Sequence, residues 1–179
     1  MMQNGEAVSR RSAQTALTPS ASLVPRFAQA LVADVVHRCE VWTVLECHAV
    51  SRAAVSPQRD MHRVRTVVPE LNQQVLAPRA PADWQHLELG LHRAIAEQAG
   101  NPLLAMMLAE VGAELEDICS RHIRRPIHRP GTLWLLQCQH RKILSYIEAG
   151  RADDAVLHTR VHLHLIRDQL VAALSAEPG

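Results

Sequence analysis

Leu87–Leu104, LELGLHRAIAEQAGNPLL, is the stretch on which the fold turns. Trp84, Leu87, Leu91, Ala94, Ile95 and Ala99 recur at the three-and-four spacing of one apolar helix face. Gly100 then ends that helix and Asn101-Pro102 opens the next. The Asn side chain can accept free amides of a first turn, and Pro at the first helical position forfeits no hydrogen bond. The grammar is helix, stop, helix. Glu88 and His92 stand four residues apart, so they project from the same side of the first of these helices. On a wheel turning about 100° per residue they lie at the edge of the apolar arc, with His86, Arg93 and Glu97 opposite. A carboxylate and an imidazole side by side at a core edge form half of a metal site.

Downstream, Pro102 to about Arg124 continues as a helix, and Arg125-Pro126 to Pro130-Gly131 reads as a turn-rich passage. Thr132 to Ala149 is helical and stops at Gly150; Asp153 to about Leu174 is the last helix. Upstream, Pro78 and Pro81 mark a loop before Trp84. Ser56-Pro57 reads as a cap and first residue of a helix running towards Val75, which Pro69 should kink or end. Pro25 to about Val55 is one helix, or two if it breaks once. Residues 1–22 are polar, lack periodicity and are expected to be a disordered tail. No strand pattern competes. The expected fold is all-α, an antiparallel bundle of six or seven helices over residues 23–176.

Composition agrees with that expectation. In 179 residues, 47% are hydrophobic but only 3% aromatic, and Leu, Ala and Val carry the apolar content, which favours helices over sheet. A net charge of +1 without a basic run leaves no electrostatic footprint for nucleic acid. No apolar stretch approaches the eighteen or so residues of a membrane span, and the N-terminus lacks a signal-peptide core, so a cytoplasmic protein is expected. Cys39, Cys47, Cys119 and Cys138 form no C-x-x-C pair, which argues against a zinc knuckle or a redox motif.

Eleven histidines are more than packing requires. In the Thr132 helix, Leu133, Leu136, Ile143, Leu144 and Ile147 define the apolar arc, and His140 lies in its middle. In the last helix, His162 points between Leu165 and Ile166, His158 lies one turn earlier on the same side, and His164 faces the charged side. Two readings are open on spacing alone. Each inward histidine can be satisfied by an ordinary core partner. Alternatively one divalent cation satisfies Glu88, His92, His140 and His162 together, since borderline cations accept imidazole and carboxylate side by side.

LGLHRAIAEQAGNPLL, followed by QHRKILSYIEAGRADDAVLHTRVHLHL, resembles the effector-binding (FCD) domain of the FadR subfamily of GntR-type transcriptional regulators. The resemblance runs from about Val32 to Leu174. It implies a divalent metal, zinc, nickel or manganese, bound by a carboxylate and the histidine four residues later, a histidine opening H-x-x-I, and a histidine a dozen residues past a glycine. Those positions are Glu88, His92, His140 and His162. The family usually has Asp at the first of them. VWTVLECHAVSRAA resembles the family's first core helix, with Trp42 where an arginine is usual.

The resemblance implies a sensor: a small organic acid binds at the metal, and paired domains pass the change to DNA-binding heads. A homodimer is therefore expected. The roughly twenty-five residues before the bundle contain neither helix-turn-helix periodicity nor a basic recognition helix, so this chain alone is not expected to read DNA. Two other readings are kept. A His-ligated metal with an open position also activates water in enzymes; no further carboxylate is visibly placed beside the set, although Glu116 or Asp117 could be near in space. A metal-free helical interaction module is the third.

Overall fold

The computed structural model describes residues 23–76, 81–123 and 130–176. The expected tail 1–22, the loop residue Pro78 and most of the turn-rich passage after Arg124 lie outside the described residues. Seven helices are present among the rest: α1 Leu23–Val55, α2 Met61–Arg65, α3 Val68–Leu76, α4 Pro81–Glu97, α5 Pro102–His122, α6 Pro130–Glu148 and α7 Ala152–Ala176. No strand occurs among the described residues, and the fold is the expected all-α bundle. Among the described residues no helix is long and apolar enough to cross a membrane.

The glycine stops behave as their sequence suggests. Gly100 and Gly150 have φ of 66° and 71°, the left-handed region that only glycine enters freely. At Gly150 the turn is doubly bonded: Arg151 N donates to Tyr146 O at 2.9 Å and Gly150 N to Ile147 O at 3.1 Å, which closes the end of α6. Asn101 caps α5 by accepting from Leu104 N at 3.3 Å, with Pro102 next in line.

The region between α1 and α4 departs from expectation. Ser56-Pro57 does not open a helix. Asp60 does, its side chain accepting from His62 N, while Pro57 sits in a turn. Arg59 organises that turn, donating to Ala54 O and Ser56 O at the end of α1 and to Glu148 O at the end of α6. Pro69 interrupts the segment as expected, though not at its own position: the helix breaks three residues earlier, and Pro69 occupies the first turn of α3. A proline ring would clash with the carbonyl four residues back, at Arg65, so the chain breaks at Thr66-Val67 and restarts. The prolines expected in loops, Pro81 and Pro130, likewise begin α4 and α6.

α1 is a single unbroken helix of 33 residues, about 50 Å long, and the rest of the bundle is laid on it. α7 runs antiparallel along it: Cys47 Sγ lies 4.0 Å from Val156 O, and Gly150 faces Ala54 O. α4, α5 and α6 complete the contacts around α1. The core threads through Val35, Cys39, Trp42, Ala49, Val50 and Ala53 of α1, Leu91 and Ile95 of α4, Leu136 and Ile143 of α6, and Leu163 and Ile166 of α7.

Candidate metal centre

Three helices meet at a polar cluster inside this apolar core. α4 supplies Glu88 and His92, α6 His140 and α7 His162, and none is more than 5% exposed. Their Nε2 and carboxylate atoms converge. Glu88 Oε1 lies 3.0 Å from His140 Nε2, 3.0 Å from His162 Nε2 and 3.5 Å from His92 Nε2. His162 Nε2 is 3.0 Å from His140 Nε2 and 3.2 Å from His92 Nε2. Donors each about 2.0–2.2 Å from a shared cation stand about 3.0 Å apart at right angles and about 3.5 Å apart at the tetrahedral angle. These five separations fall in that interval, the ligand atoms all lie within 4.8 Å of one another, and this group of one Glu and three His could hold a metal ion.

The hydrogen inventory points the same way. His92 Nδ1 lies 3.0 Å from Glu46 Oε1, an acceptor only, so Nδ1 carries the hydrogen. His162 Nδ1 lies 3.1 Å from Gln139 Oε1 and donates likewise. In their neutral forms both rings therefore turn bare Nε2 lone pairs towards each other and towards Glu88. Glu88 Oε2, Glu46 Oε2 and His140 Nδ1 are buried without a hydrogen-bond partner. An electron-rich, water-excluded group of this kind is stable only around a cation or a proton.

Without a metal, protons take that part. Burial opposes charge on His92, but the Glu46 and Glu88 carboxylates outweigh it and push the ring up to about 10. His162 moves the other way, to about 3, through burial and then through His140, against the pull of Glu88. Burial would raise Glu88, yet His140 first, and then the contacts of the Glu88 carboxylate with the surrounding imidazoles, hold it well below the usual carboxylate range.

The other candidates fall elsewhere. His158 stacks on Tyr146, ring centroids 5.0 Å apart, with Arg151 over the same tyrosine. His164 is exposed beside the α1–α7 groove. Glu116 faces His86 at 3.8 Å, and Asp117 pairs with Arg121 on the surface. Trp42 is buried and meets the His92 ring nearly edge-on, centroids 5.2 Å apart and planes at 75°. A cavity of about 190 Å³ reaches His92 beside Trp42, walled by Leu89, Leu108 and Gly112 and with Arg93 on its lining. Glu46, a fully buried carboxylate on α1, is the participant that sequence reasoning missed.

Comparison with known proteins gives this arrangement a family. The model of the FCD domain matches residues 38–165, more than two thirds of the chain. The chain belongs to the FCD family. FCD domains are the effector-binding domains of GntR-type regulators, and the match takes in all four converging residues and Glu46. No curated protein matches the chain.

Proposed function

We propose that this FCD domain senses a small organic acid through one divalent ion, zinc, nickel or manganese, held by Glu88, His92, His140 and His162. The observation that carries the reading is the convergence of three imidazole Nε2 atoms and one carboxylate oxygen in the buried core, with Glu88 Oε1 3.0–3.5 Å from each ring nitrogen and all the ligand atoms within 4.8 Å of one another. A divalent ion held by these three imidazoles and one carboxylate would supply a Lewis-acidic partner for an acid's carboxylate. The chain's own residues do the rest. Glu88 and the rings fix where that carboxylate must arrive, and the apolar walls around Trp42 exclude water and strengthen the attraction. The cavity beside His92 is smaller than the roughly 300–1,000 Å³ of drug-sized pockets, which favours a short acid.

Sensing is preferred to turnover because the FCD domain is the effector-binding domain of regulators, and the further carboxylates considered, Glu116 and Asp117, pair with His86 and Arg121. In the regulators this domain serves, the bound acid changes how paired bundles are held. We take this chain to form such a pair.

Elemental analysis tests the metal: purified protein is expected to hold about one divalent ion per chain, and His140→Ala to lose most of it. Unchanged metal in that variant removes the assignment. A thermal-shift screen of short carboxylates, run beside an assay for their turnover, is expected to find stabilisation without product. Product formation would favour the metalloenzyme instead.

A further inference from the structure

α1 gives no atom to the converging group, yet it contributes the two residues that hold His92. Glu46 and Trp42 stand four residues apart on one face of α1 and therefore meet the same ring. Trp42 sets the plane of the imidazole by its near-perpendicular contact at 5.2 Å. Glu46 Oε1 accepts the Nδ1 hydrogen at 3.0 Å. Fixing the hydrogen on Nδ1 leaves Nε2 as the lone pair turned towards Glu88, His140 and His162.

A carboxylate at this place calls for an explanation. Its neighbours on the buried row of α1 are Cys39, Trp42, Ala49 and Ala53, and an aliphatic side chain would pack there without desolvating a charge. Glu46 is fully buried, and its second oxygen has no partner. Charge balance supplies the reason. Glu46 and Glu88 together bring two negative charges into the core, which one divalent cation neutralises when the imidazoles are neutral.

We propose that Glu46 is the positioning residue of the metal centre: it orients His92 for ligation and supplies the second negative charge that matches the site to a divalent ion. The inference rests on the metal reading above. Groups that orient a ligating histidine typically change metal affinity 10–100-fold when lost.

Two measurements test it. Zinc affinity of the full chain, read by competition with a chromophoric chelator, is expected to fall 10–100-fold in Glu46→Gln, which keeps the side-chain volume but removes the charge. Glu46→Asp, which keeps the charge on a shorter stem, should recover part of the loss. With cobalt(II) in place of zinc, the visible bands of Glu46→Gln should differ from wild type, a change that a remote packing defect would not produce. Nitrogen-15 spectra of the zinc-loaded wild type should show the His92 hydrogen on Nδ1; this needs no variant and decides the matter if Glu46→Gln does not fold. Wild-type zinc binding with unchanged affinity and bands in Glu46→Gln overturns the role of Glu46 alone, whereas a hydrogen found on His92 Nε2 overturns ligation through that atom and the role of Glu46 with it. Wild type that takes up no zinc overturns the metal reading and this inference with it.

Discussion

In the metal-free protein the proton on His92 does the work of a cation, and it sets how stability depends on pH. The ring titrates at about 10 in the fold against about 6.5 in an unfolded chain. Its stabilising contribution is therefore complete below about pH 6.5 and is lost as pH rises towards 10. His162 has the opposite sign. Its folded value of about 3 means that its contribution is complete above about pH 6.5 and is lost as pH falls towards 3. Glu88, held low, adds to the loss on the acid side. The melting temperature of the metal-free protein should therefore peak near about pH 6.5 and fall on both sides. Saturating zinc should flatten the alkaline fall, and at pH 7.5 its uptake should release about one proton, because the ion replaces the one on His92. A pH-independent melting curve, or uptake without proton release in weak buffer, would contradict this. Glu88, His92, His140 and His162 were legible in the sequence because each sits on or beside an apolar arc at helical spacing. Glu46 was not, although it interrupts the buried row Cys39, Trp42, Ala49, Ala53 of α1. Its partner lies 46 residues away, and periodicity within one helix does not say which neighbour that helix faces.

At the scale of elements, Gly150 controls the register between His140 and His162, since it turns α6 into α7. A Cβ there would meet nothing nearer than Ala54 O at 3.8 Å, so space is not the constraint. The backbone is: φ of 71° disfavours L side chains by roughly 1–2 kcal/mol. Gly150→Ala should lower the urea unfolding free energy by about that amount, and Gly150→Asn by less, because Asn enters the left-handed region more readily. Equal losses for the two would place the cause in packing instead. Asn101→Ala, which removes the cap of α5, should cost about 1 kcal/mol in the same assay. These signals are local, which is why α4, α5, α6 and α7 could be read from sequence to within a few residues. Residues 56–70 could not. There Ser56-Pro57 offered a plausible cap, and the chain used Asp60 instead because Arg59 binds the ends of α1 and α6 and holds the turn open. Proline marked a helix start at Pro81 and Pro130, where a loop was expected, and at Pro69 the expected break falls just ahead of the ring, which sits in the first turn of the next helix. A missing N–H harms a helix only after its first turn, and sequence alone does not reveal which turn a proline will occupy.

For the whole molecule, the outer faces of α1 and α7 matter most. Val41 and Val44 on α1 are 50% and 70% exposed, and Leu157 and Val161 on α7 are 58% and 49% exposed. Helical spacing sets them on either side of the α1–α7 groove, whose lining includes Val44, Glu40, Arg160 and His164. Single exposed aliphatics need no explanation, but four on two adjoining helices form a patch of the kind that marks an interface. The mix of Glu40 with Arg160 along the groove suits pairing with an identical surface, because a two-fold axis brings each patch against its own copy. Trp42 takes no part in this patch, being buried against His92. Light scattering should therefore give twice the chain mass of 19.9 kDa at micromolar concentration. Val44→Asp combined with Val161→Asp should reduce the mass to that of one chain while leaving the metal content unchanged, since neither residue belongs to the converging group. A single-chain mass for the wild type across that range would rule the pairing out. Loss of metal in the double variant would instead tie the integrity of the site to the paired state.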